Sequence, residues 1–150
     1  MKTGLLCKLV SIAALHATGA IACQQHVVQI ETPAGSQTFS AEIADDSDER
    51  AKGLSGRAAL DRNAGMLFLY DKPHKARFWM LGMKISLDMM FIEPDGRIAA
   101  VQHNVQPGKL WPVSGGDGII AVFEINAGEA EQRGIGTGAY VRHPAFGCSG

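Results

Sequence analysis

Residues 87–92 read Leu-Asp-Met-Met-Phe-Ile, and after Glu93 come Pro94-Asp95-Gly96 and then Arg97-Ile98-Ala99-Ala100-Val101. Two short apolar runs around a proline–glycine turn specify a β-hairpin, since proline presets the turn backbone and glycine tolerates positive φ. Side chains alternate along a strand, so Leu87, Met89 and Phe91 share one face while Asp88, Met90 and Ile92 share the other. Neither face is polar, so this strand is expected to be covered on both sides. Asp88 must then be paired in the interior or line a site, because an isolated buried charge is strongly unfavourable.

The same reading extends along the chain. His26–Glu31, Thr38–Ile43, Gly65–Tyr70, Ala76–Met80, Leu87–Glu93, Arg97–Val105, Ile119–Ala127 and Ala139–His143 are expected strands. Asp46 and Glu49 stand at capping-box spacing and open a short helix ending near Gly53, and Glu129–Arg133 forms a helical turn. Pro33-Ala34-Gly35 is a turn, and residues 109–118 form a loop holding Trp111-Pro112 and Gly115-Gly116-Asp117-Gly118. The 18 glycines favour short strands over long helices. The expected fold is therefore mainly β with two short helices, a β-rich α+β class, in a single antiparallel barrel-like or sandwich-like domain.

The N-terminus reads as an export signal. Lys2 and Lys8 precede an apolar stretch at Leu9–Leu15, and Ala20-Ile21-Ala22 supplies the small residues of a cleavage site. From Leu9 to Ala22 there are only 14 residues, whereas a bilayer core takes about 20 helical residues. Residues 1–22 are thus expected to be a signal peptide, 23–37 a lead-in, 38–143 the β-rich domain and 144–150 a tail. Ala20-Ile21-Ala22-Cys23 is similar to a bacterial lipobox, which implies a lipid anchor on Cys23 and, with Gln24 next, the periplasmic side of the outer membrane. The alternative is plain secretion with a Cys23–Cys148 disulfide, which lipidation would forbid. Removing residues 1–22 leaves 128 residues, with 12 basic and 15 acidic side chains. That balance argues against a nucleic-acid partner. Membrane contact is expected through the anchor only, and nothing in the pattern fixes an oligomeric state.

The order of the blocks resembles the domain of unknown function 192 family, over about residues 40–142. Glu49-Arg50, Gly53-Leu54, Arg57 and Leu60 match its first block, then Gly65-Met66-Leu67-Phe68 and Phe78-Trp79-Met80. Leu87-Asp88-Met89, Asp95-Gly96-Arg97-Ile98, Val122-Phe123-Glu124-Ile125 and Gly134-Ile135 continue the match. The chain departs at Leu81-Gly82-Met83, where the family commonly has Lys-Asn-Thr, and at Ser55, Ser86 and Ala139. The resemblance implies fold and frequent export, and no reaction.

Asp88 and Glu124 are the carboxylates embedded in apolar strands. Held close together they could work as an acid–base pair of a glycan-cleaving hydrolase. The plainer expectation is neutralisation by arginine, with Arg57, Arg50 or Arg77 available and Arg57 the first choice for Asp88. Asp88, Glu124, Arg57 and Arg50 could also form a ligand-binding polar cluster, and Trp79, Trp111 and Arg77 are candidate ligand contacts, Trp111 because it lies in a proline-flanked loop. Histidines 74, 103 and 143 lie far apart with no paired-cysteine or H-E-x-x-H spacing, so no metal or other cofactor is expected. The leading expectation is a non-catalytic envelope module that binds a saccharide, peptide or protein partner. A hydrolase using Asp88 and Glu124, or a purely structural envelope protein, is the alternative.

Overall fold

The computed structural model describes residues 24–147. The expected signal peptide, the Cys23 anchor and the Cys23–Cys148 pair lie outside the described residues. The strands are β1 (Val27–Thr32), β2 (Gly35–Ala44), β3 (Ala64–His74), β4 (Leu87–Ile92), β5 (Ile98–Val105), β6 (Ile119–Asn126) and β7 (Tyr140–Arg142). Helix α1 (Ser47–Lys52) joins β2 to β3, and α2 (Glu129–Gln132) follows β6. A single turn of 3-10 helix spans Pro144–Phe146. Asp46 caps α1 by accepting from the N–H groups of Asp48 and Glu49, both at 2.8 Å, while the Glu49 carboxylate reaches back to Asp45 N.

The strands form one sheet in the order β5-β4-β6-β3-β2-β1-β7. All pairings are antiparallel except β2 with β3, which run parallel because α1 carries the chain back over the sheet. The two edges approach each other at one end. Ile98 N donates to Ala139 O, Gly138 N to Ile98 O and Val141 N to Gly96 O, each at 2.8 Å. Gly96 is required there, since its φ is +85° and a Cβ would stand 2.7 Å from Val141 O. The sheet is therefore a curled half-barrel, and the mainly β expectation holds.

The curl gives two cores. Val28, Ile30, Phe39, Leu67, Met90, Ile92, Phe123 and Ile125 fill the enclosed face, which α2 helps to cover through Ala130. Met66, Phe68, Leu87, Met89, Phe91 and Val122 pack on the opposite face beneath Leu54, Ala76, Met80 and Val113. All six residues of β4 are buried, as expected for a strand covered on both sides. One expected strand does not form. Residues 76–80 alternate in burial, but their ladder is a single bridge, Phe78 with Val113. That segment lies as a cover on the outer core instead of adding an eighth strand, with Met80 O further tied to Gly108 N.

Candidate functional site

Asp88 and Glu124 are carried by adjacent central strands but point to opposite faces. Asp88 is paired in register with Ile125, and Glu124 with Met89, so Asp88 enters the enclosed core and Glu124 the outer one. The two carboxyl groups cannot flank one scissile bond, which removes the geometry the hydrolase expectation needs.

Asp88 is completely buried and fully engaged. Its Oδ1 accepts from Asn104 N at 2.8 Å and its Oδ2 from Ala130 N at 2.9 Å. Helix α2 starts at Gly128, which has no side chain to cap it, and Asp88 supplies the missing acceptor from across the fold. Asn104 sits where β5 slips register against β4, with φ at +49°, and its amide is left for the carboxylate. The expected Asp88–Arg57 pair does not form. Arg57 instead makes a two-pronged bond to Glu42, at 2.5 and 2.6 Å, which holds the Glu42 carboxyl below its ordinary range. Two backbone donors satisfy Asp88 without the cost of burying a guanidinium.

Glu124 has no such partners. It is only 4% exposed, it makes no hydrogen bond or ion pair among the described residues, and it is flanked across the sheet by Met66 and Met89. Burial among apolar neighbours pushes its carboxyl up to about 8. At neutral pH it is a protonated acid with an O–H to donate.

That acid lies against a cavity of about 550 Å³. Phe68, Tyr70, Phe78 and Trp79 supply aromatic wall, and Leu54, Leu81 and Met83 aliphatic wall. Phe68 and Phe78 pack edge to face with centroids 5.0 Å apart. Gly53 closes α1 with φ at +47°, and its missing side chain lets Phe68 approach, since a Cβ would lie 3.1 Å from the ring. The two sides of the cavity are tied by Gly56 N donating to Gly82 O at 3.0 Å. Arg50, Lys52 and Arg77 are the cations of the lining. Arg50 donates to Asp45 O and to Leu69 O, the latter at 2.8 Å, and lies 5.0 Å from the centre of the Tyr70 ring. Burial raises the Tyr70 hydroxyl; Arg50 opposes that shift and Glu124 adds to it. Arg77 is exposed and makes no ion pair among the described residues.

The expected site residues therefore separate. Glu124, Arg50, Arg77 and Trp79 meet at the cavity; Asp88 is on the other face of the sheet, and Arg57 faces a smaller cleft with Glu42. Trp111 is 73% exposed but is not part of the lining, whereas Trp79, 51% exposed, stands at its edge. Lys52, Leu81 and Met83 escaped the sequence reading, Lys52 because it ends a short helix with no apolar stripe to orient it, Leu81 and Met83 because they lie in an irregular segment. Among the described residues, no group of three or more His, Cys, Asp or Glu is placed to hold a metal ion.

Known proteins similar to this one add the fold's identity. The pattern of the domain of unknown function 192 family, described as Uncharacterized ACR, matches residues 28–143. A crystal structure of a protein of unknown function from Novosphingobium aromaticivorans is 36% identical, with a TM-score of 0.75, over 77% of this chain and 82% of that one. A second, from Sinorhizobium meliloti and named provisionally as a transcription regulator, is 28% identical, with a TM-score of 0.76, over 79% of this chain and 93% of that one. No curated protein matches the chain. With the matched segment spanning the whole sheet from β1 to β7, the chain belongs to the domain of unknown function 192 family.

Proposed function

We propose that this chain is an exported, lipid-anchored envelope module whose work is to bind a ligand in the cavity over Glu124, with a peptide or saccharide as the ligand class. The single observation that carries the reading is a carboxyl group on a largely buried residue, with no protein partner among the described residues, whose oxygens open onto a cavity walled by aromatic side chains. A carboxyl group open to a cavity and bonded to no protein group is free to exchange its water for a hydrogen-bonding group of a ligand. Aromatic faces beside a hydrogen-bonding group suit a sugar ring or an apolar side chain of a peptide. Asp88, by contrast, is completely buried, has each oxygen bonded to a backbone donor and lies on the face of the sheet away from the cavity.

A thermal-shift screen of saccharides, short peptides and cell-wall fragments tests the binding, because a ligand of the native state raises the melting temperature. At least one class is expected to raise it in the parent and to lose that effect in Trp79→Ala and Glu124→Ala. A ligand that stabilises both variants as well as the parent contradicts the site. Export and anchoring are tested separately by the intact mass of the membrane fraction, where an acylated species beginning at Cys23 is expected. A soluble chain with a Cys23–Cys148 disulfide contradicts that part.

A further inference from the structure

The charge balance around Glu124 narrows the ligand further, taking the cavity reading above as its basis. A buried glutamate beside aromatic rings suggests at first a cationic guest held by carboxylate and cation–π contact. The lining argues otherwise. It contains one carboxyl group and three cationic side chains, Arg50, Lys52 and Arg77, so its sign is positive whatever the state of Glu124. Arg50 is occupied by backbone carbonyl groups, but Arg77 makes no ion pair among the described residues and is exposed next to Trp79. Exposure and sign therefore run together: Lys52 and Arg77 are exposed, whereas Phe68 and Glu124 are buried.

We propose that the cavity takes an apolar-bodied anion, a carboxylate carrying an aromatic or aliphatic group such as the C-terminal residue of a peptide. Its carboxylate meets Arg77 and Lys52, its apolar group lies along Phe68 and Phe78, and the Glu124 carboxyl meets a carbonyl acceptor. Guanidinium and ammonium donors form strong charge-assisted bonds to a carboxylate, and capture of a chain end by its carboxylate is a recurring mode of peptide recognition. A protonated Glu124 donates to the carbonyl and presents no negative charge to the anion, which fits the raised position of its titration. The other titratable groups at the cavity are Tyr70, against which His74 stacks at 4.1 Å, and the three cations.

Three probes with one aromatic body separate the head-group chemistries: N-acetylphenylalanine, its primary amide, and phenethylammonium. Calorimetric titration at pH 7 is expected to show the acid binding at least about tenfold more tightly than the amide, and the ammonium weakest. Arg77→Gln, which breaks no ion pair among the described residues, is expected to bring the acid down to the level of the amide. Affinity for the acid is expected to fall as pH rises past 8 in the parent and to stay level in Glu124→Gln. Tighter binding of the ammonium, or equal binding of all three, overturns the anion proposal and leaves the cavity as a binding site. The anion proposal is likewise overturned, and the cavity kept, if none of the three binds while a saccharide still raises the melting temperature through Trp79. If no compound of either set binds, both the anion and the cavity reading fall.

Discussion

Asp88 is held by two backbone N–H groups and Glu124 by none, although both are carboxylic acids in the middle of one sheet. Asp88→Asn replaces one acceptor oxygen with an N–H₂ aimed at a backbone donor. That change is expected to cost about 3 kcal/mol in urea denaturation, by loss of charge-assisted bonds and exposure of an unsatisfied amide. Glu124 makes stability depend on pH. Its folded pKa, about 8, lies above its ordinary 4.5, so the folded state holds a proton that the unfolded chain releases. Its contribution is fully present below the unfolded value and is lost as pH rises through the folded one, at up to roughly 1.4 kcal/mol per pH unit. Glu124→Gln stays neutral, so it is expected to match the parent near pH 5 and to exceed it in stability at pH 8. Denaturation at the two pH values checks this. The sequence marked both residues as anomalous but pointed Asp88 to Arg57, because a backbone amide leaves no trace in composition or spacing.

Segment 76–83 illustrates what element-scale reading captures and misses. Its alternating burial was legible as a strand, yet a strand needs a neighbour along its length, and only Phe78 finds one, in Val113. Leu81 and Met83, where the family commonly carries polar residues, line the cavity as apolar wall, Leu81 exposed and Met83 half-buried. The glycines of residues 115–118 also have a use that no phosphate-loop pattern would suggest. Gly115 lies flat on Phe91, where a Cβ would stand 2.1 Å from the ring carbon Cγ. Phe91 in turn packs edge to face on Phe78, with centroids 6.2 Å apart. Gly115→Ala is expected to displace both rings, costing about 1–3 kcal/mol of stability as overpacking does. The same variant is expected to weaken the thermal response to cavity ligands. Urea denaturation and the thermal-shift screen together check it.

At the scale of the molecule, one sheet serves two cores, and its curl is completed where β7 meets the start of β5. His143 helps to hold that closure. Its Nε2 donates to Gln25 O at 2.8 Å and its Nδ1 accepts from Ala145 N at 3.2 Å, an arrangement only the neutral ring can make. Burial lowers its pKa most, the bond to Gln25 opposes that, and His26 adds to it. The stabilisation is therefore present above the ordinary histidine range and lost as pH falls through the lowered value. Protection of the Val141 and Ile98 amides, relative to their intrinsic exchange at each pH, is expected to fall on acidification in the parent but not in His143→Gln. Strand order and the parallel β2–β3 pair were hidden from the sequence, since periodicity fixes faces and not neighbours. The faces themselves were legible: Asp88 with Met90 and Ile92 on one, Glu124 with Val122 on the other. Family membership follows from the blocks that line this sheet, while the cavity depends on side chains from segments between its strands. The most direct test of a protonated, ligand-facing Glu124 is the ¹³C chemical shift of its carboxyl carbon, followed by NMR against pH. A midpoint near 8 is expected in the free protein, and a displaced midpoint when a cavity ligand is bound. A midpoint near the ordinary 4.5, unchanged by every compound that raises the melting temperature, would contradict it.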